Sequence, residues 1–536
     1  MKNVDVKPSD FERIQESYTA VPYLSQAYLQ SHPDQMATIG RIFGMSPASI
    51  TQCRVLELGC AGGGNIIPMA YFLPESDFKG IELNEGHVKK AHRTISDLGL
   101  SNIRIDQGNI LDIDESWGKF DYIICHGVFS WVPETVQEKI FSISVENLAE
   151  KGIAYISYNT YPGWHMREMI RHMMLYHAGQ FETPRQRLDQ GTAFVEYLAK
   201  AMAGNSNDPY GLLLKNELEA LKSSEEWYLF HDYMEVVNAP IYFHQFIDRA
   251  DQNNLQYLGE ANFPTMFSHG FSEGINRTLE EISRDIVQKE QYMDFLRNRL
   301  FRQTLLCHKC LNLNRTLDSE SLAGLLISSD TVPEVETRDL SPGVIQKFRI
   351  SDGTVVETEN PIIKAAFWIL RESWPKVVSF ERLYDMCFEA ISSFMDHDTR
   401  HEINWRHELG RGLLHCYASG AVDAKTWESD YTGYVTEKPK VSRLALYQSK
   451  NRQRIVNARH EIVTLDPMAR QLLPMLDGTN DRNTMVQKLT ALVRDGAFTL
   501  TEYDVPITEK DEIYRFVDQS IDKILSRLAE ETLLIG

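Results

Sequence analysis

The run Arg54-Val-Leu-Glu-Leu-Gly-Cys-Ala-Gly-Gly-Gly64 constrains this chain more than any other. Val55 and Leu56 form a short apolar stretch that reads as a buried parallel strand. An acid, Glu57, stands near its end, and four of the six residues 59–64 are glycine. The sequence from Asn65 to Leu73 then has helical character. Glycine lets the backbone turn sharply and approach a ligand closely. The helix N-terminus beyond offers unpaired N–H groups and the positive end of its dipole. Strand, acid, glycine loop and helix together open a nucleotide-binding α/β sheet.

A chain of 536 residues has room for roughly two to four domains. It contains no apolar run near the ~20 residues a membrane helix needs, so no membrane span is expected. The first ten residues lack the apolar core of a secretory signal. Seven cysteines, an odd number scattered along the chain, point to reduced thiols and a cytoplasmic setting. A net charge of -20 argues against unaided binding to a nucleic-acid backbone. It suits a basic substrate, although acidity is common among soluble proteins.

Beyond residue 54 strand and helix signals alternate. Strands are expected at 54–58, 78–83, 102–106, 120–125 and 153–158, with helices at 65–73, 85–98 and 134–150. The fold class is therefore α/β, a doubly wound parallel sheet. Residues 1–50 read as an N-terminal helical segment, with a helix starting at His32-Pro33-Asp34. The core takes in 51–179 and 226–262, where a strand at 255–258 completes the sheet. Residues 180–225 read as a helical insertion and 263–330 as a helical linking region. A winged-helix-like middle domain is expected at 331–440, and a mainly helical C-terminal domain at 441–536.

Two cofactors compete for the glycine loop. Gly59, Ala61 and Gly64 approximate the dinucleotide pattern, and Glu82 ends the second strand at a suitable distance. Against this, the Glu57 carboxylate repels a pyrophosphate but suits a ligand with an ammonium and a sulfonium. Asn109, after the third strand, can accept from an adenine amino group. Cys125-His-Gly-Val-Phe-Ser-Trp-Val-Pro133 places aromatic groups at the carboxyl edge of the fourth strand, where such sheets bind ligands.

These motifs in this order resemble the class I S-adenosylmethionine-dependent methyltransferases. The resemblance extends to Pro22-Tyr23, Ser31-His-Pro-Asp-Gln-Met, Tyr158-Asn-Thr-Tyr-Pro-Gly-Trp164, His231-Asp-Tyr-Met-Glu and Phe301-Arg-Gln-Thr-Leu-Leu. Those stretches are similar to a subgroup with a methyltransferase regulatory domain, which includes rickettsial protein lysine methyltransferases acting on outer-membrane proteins. The resemblance implies S-adenosylmethionine as cofactor. It places Glu57, Gly59, Cys60 and Gly63 around the methionine part, and Glu82 with Leu83 at the ribose. It places Asn109 and Ile110 at the adenine, and His126 with Gly127 beside the sulfonium. Ala61 stands where glycine is commoner and Asn109 where aspartate is. Tyr18 and Tyr23 are implied as a lid.

Aromatic residues just after the fifth strand are candidates for the acceptor pocket. Tyr158, Tyr161 and Trp164, with His126, are the expected catalytic group, joined by Trp131, Asn159 and His165. The methionines of the helix from Trp164, among them Met166 and Met174, read as core. Cys307-His-Lys-Cys310 is a single CxxC without a second pair, and His397, His401 and His407 lack a metal-site order, so no metal is expected. Three functions fit. The first is transfer of a methyl group to a neutral lysine amine of a protein, such as an outer-membrane or surface protein before export. The second is methylation of a small molecule. The third is non-catalytic binding of S-adenosylmethionine. A homodimer through 180–225 is implied by resemblance alone.

Overall fold

The computed structural model describes residues 20–21, 23–202, 208–268, 270–351, 353–392, 403–502, 505–507 and 509–536. Tyr18, His397 and His401 lie outside the described residues.

Five parallel strands form where the apolar runs fall: β1 (Arg54–Leu58), β2 (Asp77–Glu82), β3 (Ile103–Gln107), β4 (Phe120–Cys125) and β5 (Leu148–Asn159). The helices Ile66–Phe72, Glu85–Leu98 and Glu134–Glu146 connect them. Two further strands, β6 (Leu255–Glu260) and β7 (Phe301–His308), complete a seven-stranded sheet in the order β3-β2-β1-β4-β5-β7-β6. Because β7 runs antiparallel to both β5 and β6, the sheet is mixed rather than parallel throughout.

β7 corrects the expectation of a wholly helical linking region across 263–330. Helices do occupy Glu273–Ile282 and Ile286–Arg297, but the chain then extends. Arg302, Gln303, Leu305 and Leu306 are good helix formers, which hides the strand from local propensity. What carries Arg302 into a sheet is a set of distant acids. Its guanidinium bonds Glu260 at 2.7 Å, Glu290 at 2.9 Å and Asp294 at 2.8 Å, and it is wholly buried. Arg299 adds a second cation at 3.3 Å from Asp294. The helix expected to reach residue 150 stops at Glu146, since Leu148 already belongs to β5.

The inserted helices Pro184–Met202 and Pro209–Ser223 pack with Gly163–Ala178 and Glu226–Met234 around a small core of Ile170, Met174, Val195, Leu214 and Phe230. Met166, expected in that core, is 45% exposed because it falls on the outer side of its helix. Farther along, the strands Leu326–Ser328, Val378–Ser379 and Asp423–Lys425 pair into a small sheet. With the helices Pro361–Ser373, Phe380–Ser392 and Trp405–Ala418, they share one continuous core with the large sheet.

A separate core begins near Val441. It joins the helices Arg443–Ser449, Pro467–Leu472, Arg482–Arg494 and Lys510–Glu530 to the hairpin Arg454–Val456/Ile462–Thr464. This C-terminal unit rests on the helices that follow β1 and β2. The Tyr71 hydroxyl accepts from the Arg443 amide at 3.1 Å, and the Thr94 and Tyr447 hydroxyls share a hydrogen bond at 3.3 Å.

Removing one partner of a buried ion cluster leaves the others uncompensated. Arg302→Met is expected to lower the unfolding free energy by about 3–5 kcal/mol in chemical denaturation at neutral pH, and a loss below about 1 kcal/mol contradicts the role given to the cluster.

Candidate active site

β1, β2 and β4 end at one edge of the sheet, and the loops after them surround a cavity. Glu57, Gly59 and Cys60 line it from the first loop, Glu82 and Leu83 from the second. Asn109 and Ile110 border it after β3, and His126 and Gly127 after β4. Tyr23 closes it from the N-terminal segment. Ten residues singled out in the sequence therefore meet in one place.

Glu57 is buried, and its two oxygens differ. Oε1 accepts from Asn65 Nδ2 at 2.7 Å, whereas Oε2 has no hydrogen-bond partner. Burial, reinforced by the Glu82 charge and opposed by the Asn65 bond, pushes this carboxyl up to about 8. Glu82 is held differently. Its Oε2 accepts from the Ala61 amide and its Oε1 from the Asn84 amide, both at 2.8 Å. Each oxygen keeps a lone pair for a ligand hydroxyl. Ala61 presents its amide this way by adopting φ +47°, a left-handed conformation that non-glycine residues seldom take.

The N-terminal segment Tyr23–Tyr28 lies as a strap across the glycine loop. The Gly64 amide donates to Ser25 Oγ at 2.6 Å. A Cβ on Gly64 would stand 2.3 Å from the Ser25 carbonyl oxygen, so any side chain there would push the strap away. The Tyr28 ring stacks on His126 at 3.6 Å between centroids. His126 Nδ1 shares a 2.7 Å hydrogen bond with the Tyr155 hydroxyl, which also accepts from Gln303 at 3.0 Å. Burial pushes the His126 imidazole down to about 3, so the ring is neutral at physiological pH. It serves as an uncharged wall and is a poor proton acceptor.

Four expected contacts fall elsewhere. Tyr158 is fully buried, stacked on Phe246 at 4.1 Å and hydrogen-bonded to Thr304. Successive strand residues face opposite sides of a sheet, so Tyr155 and Ser157 turn toward the His126–Gly127 loop while Tyr158 turns away. Trp164 is buried edge-on against Trp131 at 6.0 Å; Trp131 lines the cavity and Trp164 supports it from behind. Tyr161 stacks on His165 and donates to Glu168, outside the cavity lining. Gly63 forms the turn at φ +73° without lining the cavity. Asn109 caps the short helical turn after it by accepting from Leu111 at 3.0 Å, which leaves one lone pair of its oxygen for an adenine amino group. Ser25, Tyr28, Asn65, Asn84 and Tyr155 also build the site and stand outside the sequence motifs. Asn65 alone carried a signal, as the first polar residue after the glycine loop.

Among the described residues no lysine or arginine lines the cavity, while two carboxylates do. A pyrophosphate would find no counter-charge there. The unpartnered Glu57 oxygen instead fits an ammonium group, and Glu82 fits a ribose diol. These are the requirements of an adenosyl sulfonium carrying an amino acid.

Comparison with known proteins agrees. A methyltransferase-domain family profile matches residues 51–197, a predicted methyltransferase regulatory domain 225–308, and a PKMT C-terminal winged-helix domain 437–533. The last covers the stretch read from the sequence as a mainly helical final unit. Protein RP789 of Rickettsia prowazekii is 34% identical over 97% of this chain and 93% of its own length. A second protein of that organism, RP028, is 38% identical over 45% of this chain and 96% of its own. The structure of PKMT2 from Rickettsia typhi in complex with AdoHcy superposes with a TM-score of 0.86 at 30% identity, covering 96% of this chain and all of the other. The chain belongs to this family of class I S-adenosylmethionine-dependent methyltransferases with a regulatory domain.

In this methyltransferase the Glu57 carboxyl titrates near 8 when folded and near 4.5 as an unperturbed group. The folded state then binds more protons than the unfolded state across that window, so the free protein loses stability as pH rises through it. Pairing with an ammonium requires the ionised form. Affinity for S-adenosylhomocysteine is expected to rise from pH 6 to pH 8 by up to about tenfold per pH unit, with proton release seen by calorimetry. Glu57→Gln is expected to flatten that profile; an unchanged profile in the variant contradicts the assignment.

Proposed function

We propose that this methyltransferase acts on the side-chain amine of lysine in a polypeptide. The observation that carries the reading is the end-to-end likeness to PKMT2, which extends through the regulatory and winged-helix regions as well as the nucleotide-binding sheet. The acceptor class suggested by that family is a surface or outer-membrane protein, modified in the cytoplasm before export. Among the described residues no helix is long and apolar enough to cross a membrane.

When bound, S-adenosylmethionine would supply a methyl group on a sulfonium, to whose carbon an amine lone pair would bond in line as the carbon–sulfur bond breaks and S-adenosylhomocysteine leaves. The chain's own task is to position and to exclude water. Glu57 and Glu82 would hold the amino-acid and ribose ends. The neutral His126 would give the sulfonium a wall that does not repel it. Tyr28, stacked on His126, covers the reacting face, and Trp131 offers an aromatic wall. An acceptor amine entering this apolar surround is driven toward its uncharged, nucleophilic form. Aromatic faces also favour a cationic methylated product. No side chain needs to act as general base once the amine arrives neutral.

The inserted helices carry Tyr197 and Leu212 exposed, beside an exposed Tyr176 on the helix Gly163–Ala178, and in this reading that surface pairs two copies of the chain. Light scattering that finds only monomer at micromolar concentration would end the dimer part of the proposal.

The decisive experiment incubates the enzyme with tritiated S-adenosylmethionine and a cell-envelope fraction, then locates the label by mass spectrometry. Label on lysine Nζ is expected. Label confined to a small molecule, or to another side chain, overturns the acceptor assignment.

A further inference from the structure

We propose that His460, in the hairpin turn of the C-terminal unit, is a positioning residue for the methyl-donor site, acting through Asn65 on Glu57. Asn65 is the joint. Its Oδ1 accepts from the Tyr28 amide at 3.0 Å and from His460 Nε2 at 2.9 Å. Its Nδ2 donates to Glu57 Oε1 at 2.7 Å and to Ser31 Oγ at 3.0 Å. The Tyr28 amide can only donate, so the Asn65 oxygen must face it and the nitrogen must face Glu57. His460 supplies a second donor on the oxygen side and opposes the flip that would aim oxygen at the carboxylate. Two donors bracket one oxygen, and the far end of the amide is thereby aimed at Glu57.

His460 bears two liabilities that a packing residue has no reason to carry. Its backbone is left-handed at φ +64°, and its second ring nitrogen, Nδ1, is buried without a partner. Strain of this kind persists where surrounding structure enforces it, commonly at functional sites. Because the Asn65 oxygen only accepts, the ring hydrogen sits on Nε2. Burial keeps the imidazole neutral, so this tautomer holds across physiological pH. The same unit makes a second contact with the donor site. Arg452 Nη1 donates to the Ser25 carbonyl at 3.1 Å, and Ser25 is the strap residue whose hydroxyl receives the Gly64 amide. The C-terminal unit thus braces both the strap and the carboxylate of a site built from residues nearly four hundred positions earlier. Its removal is expected to abolish methyl-donor binding, whatever part it plays toward the acceptor.

The inference rests on reading the cavity as the methyl-donor site. If that reading fails, the unmodified chain does not bind S-adenosylhomocysteine at all; if the inference alone fails, binding occurs and ignores His460. The test uses full-length protein and calorimetric titration with S-adenosylhomocysteine between pH 6 and 8.5. Asparagine tolerates a left-handed backbone and is too short to reach Asn65, so His460→Asn removes the donor with little strain. It is expected to weaken binding about tenfold, the effect of losing one buried hydrogen bond and freeing its partner. It is also expected to move the pH midpoint of binding upward, because an Asn65 held by one donor instead of two is aimed less firmly at Glu57 and stabilises its ionised form less. The other titratable groups around Glu57 are Glu82, Tyr28, Cys60 and Cys125, and all are left in place. His460→Gln, which keeps a long N–H donor, restores most of the affinity. Should His460→Asn fail to fold, His460→Gly relieves the backbone strain, also lacks the donor and shows the same loss. In a Glu57→Gln background, His460→Asn adds little. Affinity within about twofold of the parent with an unmoved midpoint, or losses that simply add in the double variant, overturns the proposal.

Discussion

Glu57, one residue before the end of β1, is buried with one oxygen held by Asn65 and the other without a hydrogen-bond partner. An unpaired buried carboxylate is among the more expensive groups a protein can carry. Burial favours the protonated carboxyl in the free protein, and in the proposed function the cation of the methyl donor would pair with the ionised form. Around that one group converge the glycine loop, the helix at 66–72, the strap at 23–28 and a turn of the C-terminal unit. The chain uses buried charge in the opposite way at Arg302, where three acids and two arginines pair within the protein and tie β6 and β7 to a helix. The first group is left incomplete for a ligand; the second is complete and structural.

Much of the site was legible because it is local. Glu57, Gly59 and Cys60 fall within four residues of one another, and Glu82, Asn109 and His126 each stand at the end of a strand marked by its own apolar run. Edge position follows from strand order, and strand order from the alternation of strand and helix. The errors have equally physical causes. The sequence points to Tyr158 for the pocket, whereas Tyr155 is the tyrosine that reaches His126; an odd step along a strand reverses the face. β7 was read as helix because its residues favour helix and its strand depends on acids from positions 260, 290 and 294. The role of His460 had no local signal, since its partner lies 395 residues away in the chain.

Methyl transfer from a sulfonium asks little covalent chemistry of a protein. What it does ask is a polar cradle at one end, a neutral wall at the centre and a cover. The cradle comes from the ends of β1 and β2, and the wall from His126, whose neutrality follows from burial. The cover comes from a strap that the C-terminal unit braces.

The central claim is that the free oxygen of Glu57 receives the ammonium of the methyl donor. A crystal structure of the full chain with S-adenosylhomocysteine tests it directly. The account predicts the amino nitrogen within hydrogen-bond distance of Glu57 Oε2, the ribose on Glu82 and the adenine beside Ile110. A ligand bound in the reverse sense, or one that leaves Oε2 unpartnered, would contradict it.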